Sequence, residues 1–160
     1  MLKLFLFIAR FSITAWLGAA ILFVVLTVME ILSGQFDSIV LDSLVLLRFP
    51  IYYAFTFTLL AISLVAGIAC WFGSKGKICK LFTVLVAVSL FILIGDYFWV
   101  YRPLEAMLTP LGVPRSQDFP FYHKLTEALN SVAMLINLIA ACRINWPGKL
   151  EKDDTCLPSN

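Results

Sequence analysis

The chain has 160 residues, 61% of them apolar and 14% charged, against roughly 45–50% and ~25% in average soluble domains. A soluble domain of this size and composition could not cover its own core, which excludes a cytosolic globular enzyme. A net charge of +2, with Lys and Arg scattered, excludes a nucleic-acid binder, and four Cys make no disulfide scaffold. A small, single-domain integral membrane protein is what remains.

A hydrocarbon core about 30 Å thick takes ~20 apolar residues of helix. Four stretches meet that need, at about 11–30, 49–73, 80–101 and 123–146. The first is charge-free between Arg10 and Glu30. It is too long for the apolar region of a cleaved signal peptide, so an uncleaved first helix is expected. Residues 34–48 are apolar but broken by Asp37, Asp42 and Ser43, which reads as a short interfacial helix on the outer face. The second span opens with Pro50 in its first turn, where the missing N–H costs nothing. A polar turn, Gly73 through Lys77, leads to the third span, which carries Asp96 near its far end before Arg102. Pro103, Pro110, Gly112, Pro114 and Pro120 break the stretch that follows. The fourth span ends at Trp146, a suitable interfacial anchor; residues 1–146 are expected as the four-span membrane domain and 147–160 as a short polar cytoplasmic tail.

Lys and Arg set the orientation. With both termini inside, Lys3, Arg10, Lys75, Lys77, Lys80, Arg143, Lys149 and Lys152 are cytoplasmic, and only Arg48, Arg102, Arg115 and Lys124 are outside. Eight against four predicts an all-α, four-helix membrane bundle with N-in, C-in topology, in an inner (plasma) membrane.

Ionisable residues inside membrane helices are rare and face the bundle interior. Asp96 lies 16 residues after Lys80, and Glu127 lies 16 before Arg143. At 1.5 Å per residue both stand about 24 Å from the inner boundary. An outer-leaflet cluster of Asp96, Arg102, His123, Glu127 and Asn130 is therefore expected if the third and fourth spans are neighbours. Arg102 is expected to pair with one of the two carboxylates. On the fourth helix His123, Asn130 and Asn137 recur at intervals of seven and share a face with Thr126, Glu127, Ala133 and Ala140. Such a face points into the bundle. Its polar groups serve either as interhelical hydrogen-bonding glue or as a ligand site, and glue is the blander reading. Thr14/Gly18, Ala15/Ala19 and Ser63/Gly67 are small-x-x-x-small pairs, which serve internal packing or oligomerisation.

Sets that carry chemistry are missing. One His allows no His-based metal site or haem sandwich within one chain. Cys70, Cys79 and Cys142 fall near inner helix ends, where they read as small apolar residues rather than soft-metal ligands. No phosphate loop, dinucleotide turn or nucleophile elbow occurs, and no cofactor is implied.

Three short motifs carry a resemblance. Span one contains Trp16-Leu17-Gly18-Ala19. Span three ends in Asp96-Tyr97-Phe98-Trp99-Val100-Tyr101-Arg102-Pro103-Leu104-Glu105. Span four opens with His123-Lys124-Leu125-Thr126-Glu127-Ala128-Leu129-Asn130. Over roughly residues 10–146 the chain resembles the bacterial four-helix membrane domain of unknown function related to the eukaryotic transmembrane-protein-205 proteins. That family shares a Trp-Leu-Gly-like first helix, an Arg-Pro-x-acidic end to the third, and a His-x-x-(Ser/Thr)-x-x-x-Asn start to the fourth. The stretch from Pro110 to Pro120 departs from its pattern. The resemblance implies an integral membrane location and no established activity.

The functional expectation is a non-enzymatic accessory, assembly or scaffold protein. Its partners would be the lipid bilayer and either itself or a larger membrane complex. The alternative is a small-ligand, ion, haem- or quinone-binding membrane subunit that uses the outer polar cluster.

Overall fold

A computed structural model describes residues 1–73, 77–112 and 114–146; the expected turn at 74–76 and the tail at 147–160 lie outside them. The described chain folds as α1 (Leu2–Ser33), α2 (Ser38–Gly73), α3 (Lys77–Gly95), a π-helical turn (Asp96–Tyr101), α4 (Arg102–Met107) and α5 (Phe119–Asn145). α3, the π turn and α4 form one rod, Lys77–Met107. The four rods are each long and apolar enough to cross a membrane. The protein is an all-α, four-helix membrane bundle.

The rods run longer than the charge-free stretches, because charged residues at helix ends reach past the hydrocarbon into the interface. α1 ends at Gly34, whose φ of +62° provides the left-handed residue that closes a helix C-terminus. Asp37 then starts α2: its Oδ1 accepts the Val40 N–H at 2.8 Å, an N-terminal cap. The segment expected as a separate interfacial helix is helical from Ser38 but runs unbroken into the second span, so Pro50 lies inside α2 and not in its first turn. Pro50 leaves the Leu46 carbonyl without its helical donor. That single loss is offset by the interlocked aromatic rings on either side, where Phe49 packs edge-on against Phe23 and stacks on Tyr101.

Successive rods are antiparallel, and each packs on two neighbours in the ring α1–α2–α3–α5. We call the end that holds Leu2, Gly73, Lys77 and Asn145 basal and the opposite end distal. Trp16 Nε1 donates to Thr56 Oγ1 at 3.1 Å, pinning α1 to α2. Arg10 Nε donates to the Ile144 carbonyl at 2.9 Å, satisfying a C-terminal carbonyl of α5. Along the α3–α5 seam Phe82, Val86 and Leu93 are buried with Ala133, Ala140 and Ile144 in one core cluster. The outward surface carries Phe7, Phe11, Phe72 and Phe91, all exposed, as hydrocarbon solvent requires.

The small-residue pairs divide between two environments. A methyl group added at Gly67 would meet Thr83 Oγ1 at 2.8 Å and the Phe82 ring at 3.0 Å, so Ser63/Gly67 lets α2 approach α3 closely. A methyl group at Gly18 meets nothing within 4 Å. Thr14 and Gly18 face outward and are not part of the internal packing.

Candidate functional site

Asp96 is fully buried at the distal third of the bundle, where α3 widens into the π turn. Its Oδ2 accepts three hydrogen bonds: from Tyr53 of α2 at 2.5 Å, from Asn130 of α5 at 2.6 Å, and from Thr126 of α5 at 3.0 Å. Asn130 Nδ2 also reaches the Thr126 carbonyl at 3.0 Å. One carboxylate oxygen thus joins α2, α5 and the α3 rod. Three donors on one oxygen lower the cost of burying a carboxyl group.

The π turn explains which residues gather here. Residues five apart diverge by about 140° on an α-helix, but the wider π turn stacks them. Asp96 and Tyr101 are therefore both buried on the same side of the rod. The Tyr53 ring lies 5.0 Å from that of Tyr97 and 5.0 Å from that of Tyr101. The ring of Tyr53, whose hydroxyl bonds the carboxyl group, thus packs against both tyrosines of the π turn.

The expected five-residue cluster does not assemble. The structure brings Asp96 and Asn130 together and leaves Arg102, His123 and Glu127 apart from them. Arg102 Nη1 lies 3.4 Å from Glu105 Oε2, one turn along its own helix. His123 Nε2 lies 3.2 Å from Glu127 Oε1, again one turn along, with half or more of each side chain exposed. Among the described residues no cation lies within ion-pair distance of Asp96. The cause is phase. Thr126 and Glu127 are adjacent, and one residue turns a helix by about 100°, so Thr126 faces the core and Glu127 the exterior. Arg102 follows the π turn, which shifts the phase of the rod and points it outward. Since Thr126 bonds Asp96, residues 126–130 stand at its level. The depths match while the charged side chains face elsewhere.

A second polar level lies one heptad closer to the basal end. Asn137 Nδ2 donates to Ser89 Oγ at 2.5 Å, and both residues are fully buried. Seven residues back along α3 and seven forward along α5, this pair repeats the register of Asp96 and Asn130.

At the distal end, beyond the aromatic residues, a cavity of about 290 Å³ opens between α1, the start of α2, α4 and the start of α5. Its walls include Phe23, Leu44, Phe49, Leu104 and Leu108. Two ion pairs and His123 also line it: Arg48 with Glu30 and Arg115 with Asp42, each at 2.5 Å. Arg115 further covers the Phe119 ring, 4.6 Å from its centroid.

Cys70 and Cys79 are buried at the basal end and Cys142 is exposed. Among the described residues no group of three or more His, Cys, Asp or Glu side chains is placed to hold a metal ion. Sequence reasoning missed Tyr53, which carries no helical periodicity signal that sets it apart from Tyr52. It also missed the pairing of Glu30 with Arg48, although their positions flanking the first loop were visible. No family model, curated protein or solved structure matches the chain.

Proposed function

We propose that this protein is a non-catalytic accessory or assembly subunit of a bacterial inner membrane, with both termini in the cytoplasm. The basal end then faces the cytoplasm and the distal end the exterior. The eight-to-four division of Lys and Arg supports that orientation. The resemblance to the four-helix domain related to the transmembrane-protein-205 proteins rests on the motif residues alone and agrees with this reading.

One observation carries the proposal. Asp96, the one fully buried carboxyl group among the described residues, directs its bonded oxygen at three side chains of neighbouring helices. The residue with the greatest chemical potential in the core serves helix association. At the distal end Arg48 likewise pairs with Glu30 and Arg115 with Asp42.

The test is the size of the particle in native membranes. Extracted in mild detergent and run on a native gel, the tagged chain is expected at a discrete mass well above one 18.0 kDa chain, with or without a second protein species. Migration as a lone chain at every extraction condition would overturn the assembly reading.

A further inference from the structure

We propose that the distal cavity is a binding site for one membrane lipid with a phosphoethanolamine head, whose chain enters the apolar walls while its head sits among the two ion pairs. The proposal does not depend on the accessory role, because a scaffold and a transport subunit can each hold a lipid.

Size restricts the occupant. At about 290 Å³ the cavity is roughly twice the ~150 Å³ void that accommodates benzene. It has room for part of an acyl chain and is too small for a tetrapyrrole. The walls at Phe23, Leu44, Leu104 and Leu108 give such a chain no polar partner, which matches hydrocarbon and disfavours water.

Charge restricts it further. A guanidinium has five N–H donors. The ion pair engages Nη1 of Arg48 and Nη2 of Arg115, one nitrogen on each. The remaining donors suit phosphate oxygens, which guanidinium binds in bidentate fashion. Each carboxylate likewise uses one oxygen, Oε2 of Glu30 and Oδ1 of Asp42, leaving the other to accept from a cation. Two cations and two anions sum to zero. A head with one negative charge would satisfy the arginines and face two carboxylates unaided. A head with phosphate and ammonium answers both signs. A primary ammonium donates three hydrogen bonds, whereas a choline head donates none, so the carboxylates select ethanolamine.

The experiment uses the full-length chain, stripped of lipid in detergent and offered equal amounts of phosphatidylethanolamine, phosphatidylglycerol and phosphatidylcholine of matched chains. Native mass spectrometry counts retained lipid. The expected result is one retained phosphatidylethanolamine, favoured about tenfold over each competitor, a difference of ~1.4 kcal/mol. Leu44→Trp, which fills the cavity, is expected to abolish retention. The double variant Glu30→Gln/Asp42→Asn keeps the cavity open and is expected to move the preference to phosphatidylglycerol. This second variant decides the matter if Leu44→Trp does not fold. Equal retention of all three lipids, preference for phosphatidylglycerol in the unmodified chain, absence of any retained lipid, or an unchanged preference in the double variant would each overturn the proposal.

Discussion

Asn130 Nδ2 lies 2.6 Å from Asp96 Oδ2 across the α3–α5 seam, and one heptad towards the basal end Asn137 meets Ser89 in the same register. Two levels of side-chain hydrogen bonds at heptad spacing define how far one helix can slide on the other. A shift of one turn would leave four polar groups in hydrocarbon without partners, and each such group costs several kcal/mol there. The pairs therefore select one alignment among many that apolar packing alone would allow.

The Asn137–Ser89 pair can be measured in isolation. A double-mutant cycle of Asn137→Leu and Ser89→Ala, read by unfolding in mixed detergent, is expected to give a coupling of about 0.6–2 kcal/mol, the range of interhelical hydrogen bonds in membranes. Independent, additive effects would show that the contact contributes nothing to association.

Ser63 supplies the opposite case. It is fully buried, and its Oγ has no hydrogen-bond partner among the described residues. Ser63→Ala removes an unsatisfied group and is expected to leave stability unchanged or raise it by up to about 1 kcal/mol. A loss of stability in the same unfolding assay would contradict this.

The glycines give a third prediction. Gly67→Ala places a methyl group 2.8 Å from Thr83 Oγ1 and is expected to cost about 1–3 kcal/mol as α2 and α3 are forced apart. Gly18→Ala meets no atom within 4 Å and should be tolerated in the monomer. If Gly18→Ala instead shrinks the native particle, the outward face at Thr14 and Gly18 is where copies or partners meet.

Orientation is tested by labelling. A cysteine replacing Ser116 in the distal loop, in a background with the native cysteines changed to Ala, is expected to react with an impermeant thiol reagent in intact cells. Reaction only after lysis would reverse the topology.

The four spans were legible because charge-free apolar runs and flanking Lys and Arg are local signals. The heptad of Asn130 and Asn137 was legible for the same reason, since 3.6-residue periodicity places them on one face. What escaped the sequence depended on phase and on local hydrogen bonding. Asp37 reads as an interruption of an apolar run, yet it caps the helix that this run forms; an Asp directly before an apolar stretch is itself a helix-start signal. The π turn inserts a residue's worth of rotation after Asp96, which no composition pattern announces. It carries Tyr101 inward and Arg102 outward, so the charge pairing expected from matched depth alone did not form. His123 and Glu127 satisfy each other on one helix, an i,i+4 option that competes with any pairing across helices.

If Asp96 holds the helices together, the unfolding free energies of Asp96→Ala and Asp96→Asn beside the unmodified chain, in the same lipid–detergent mixture, will report it. Asp96→Ala leaves Tyr53, Thr126 and Asn130 without their acceptor and is expected to lose about 2–4 kcal/mol, the scale of stranding buried hydrogen-bonding groups. Asp96→Asn keeps an oxygen acceptor in place and is expected to lose about 1 kcal/mol. Residues kept for chemistry commonly cost stability, and replacing them raises it. An Asp96→Ala variant as stable as the unmodified chain, or more so, would contradict the account and identify Asp96 as a functional group.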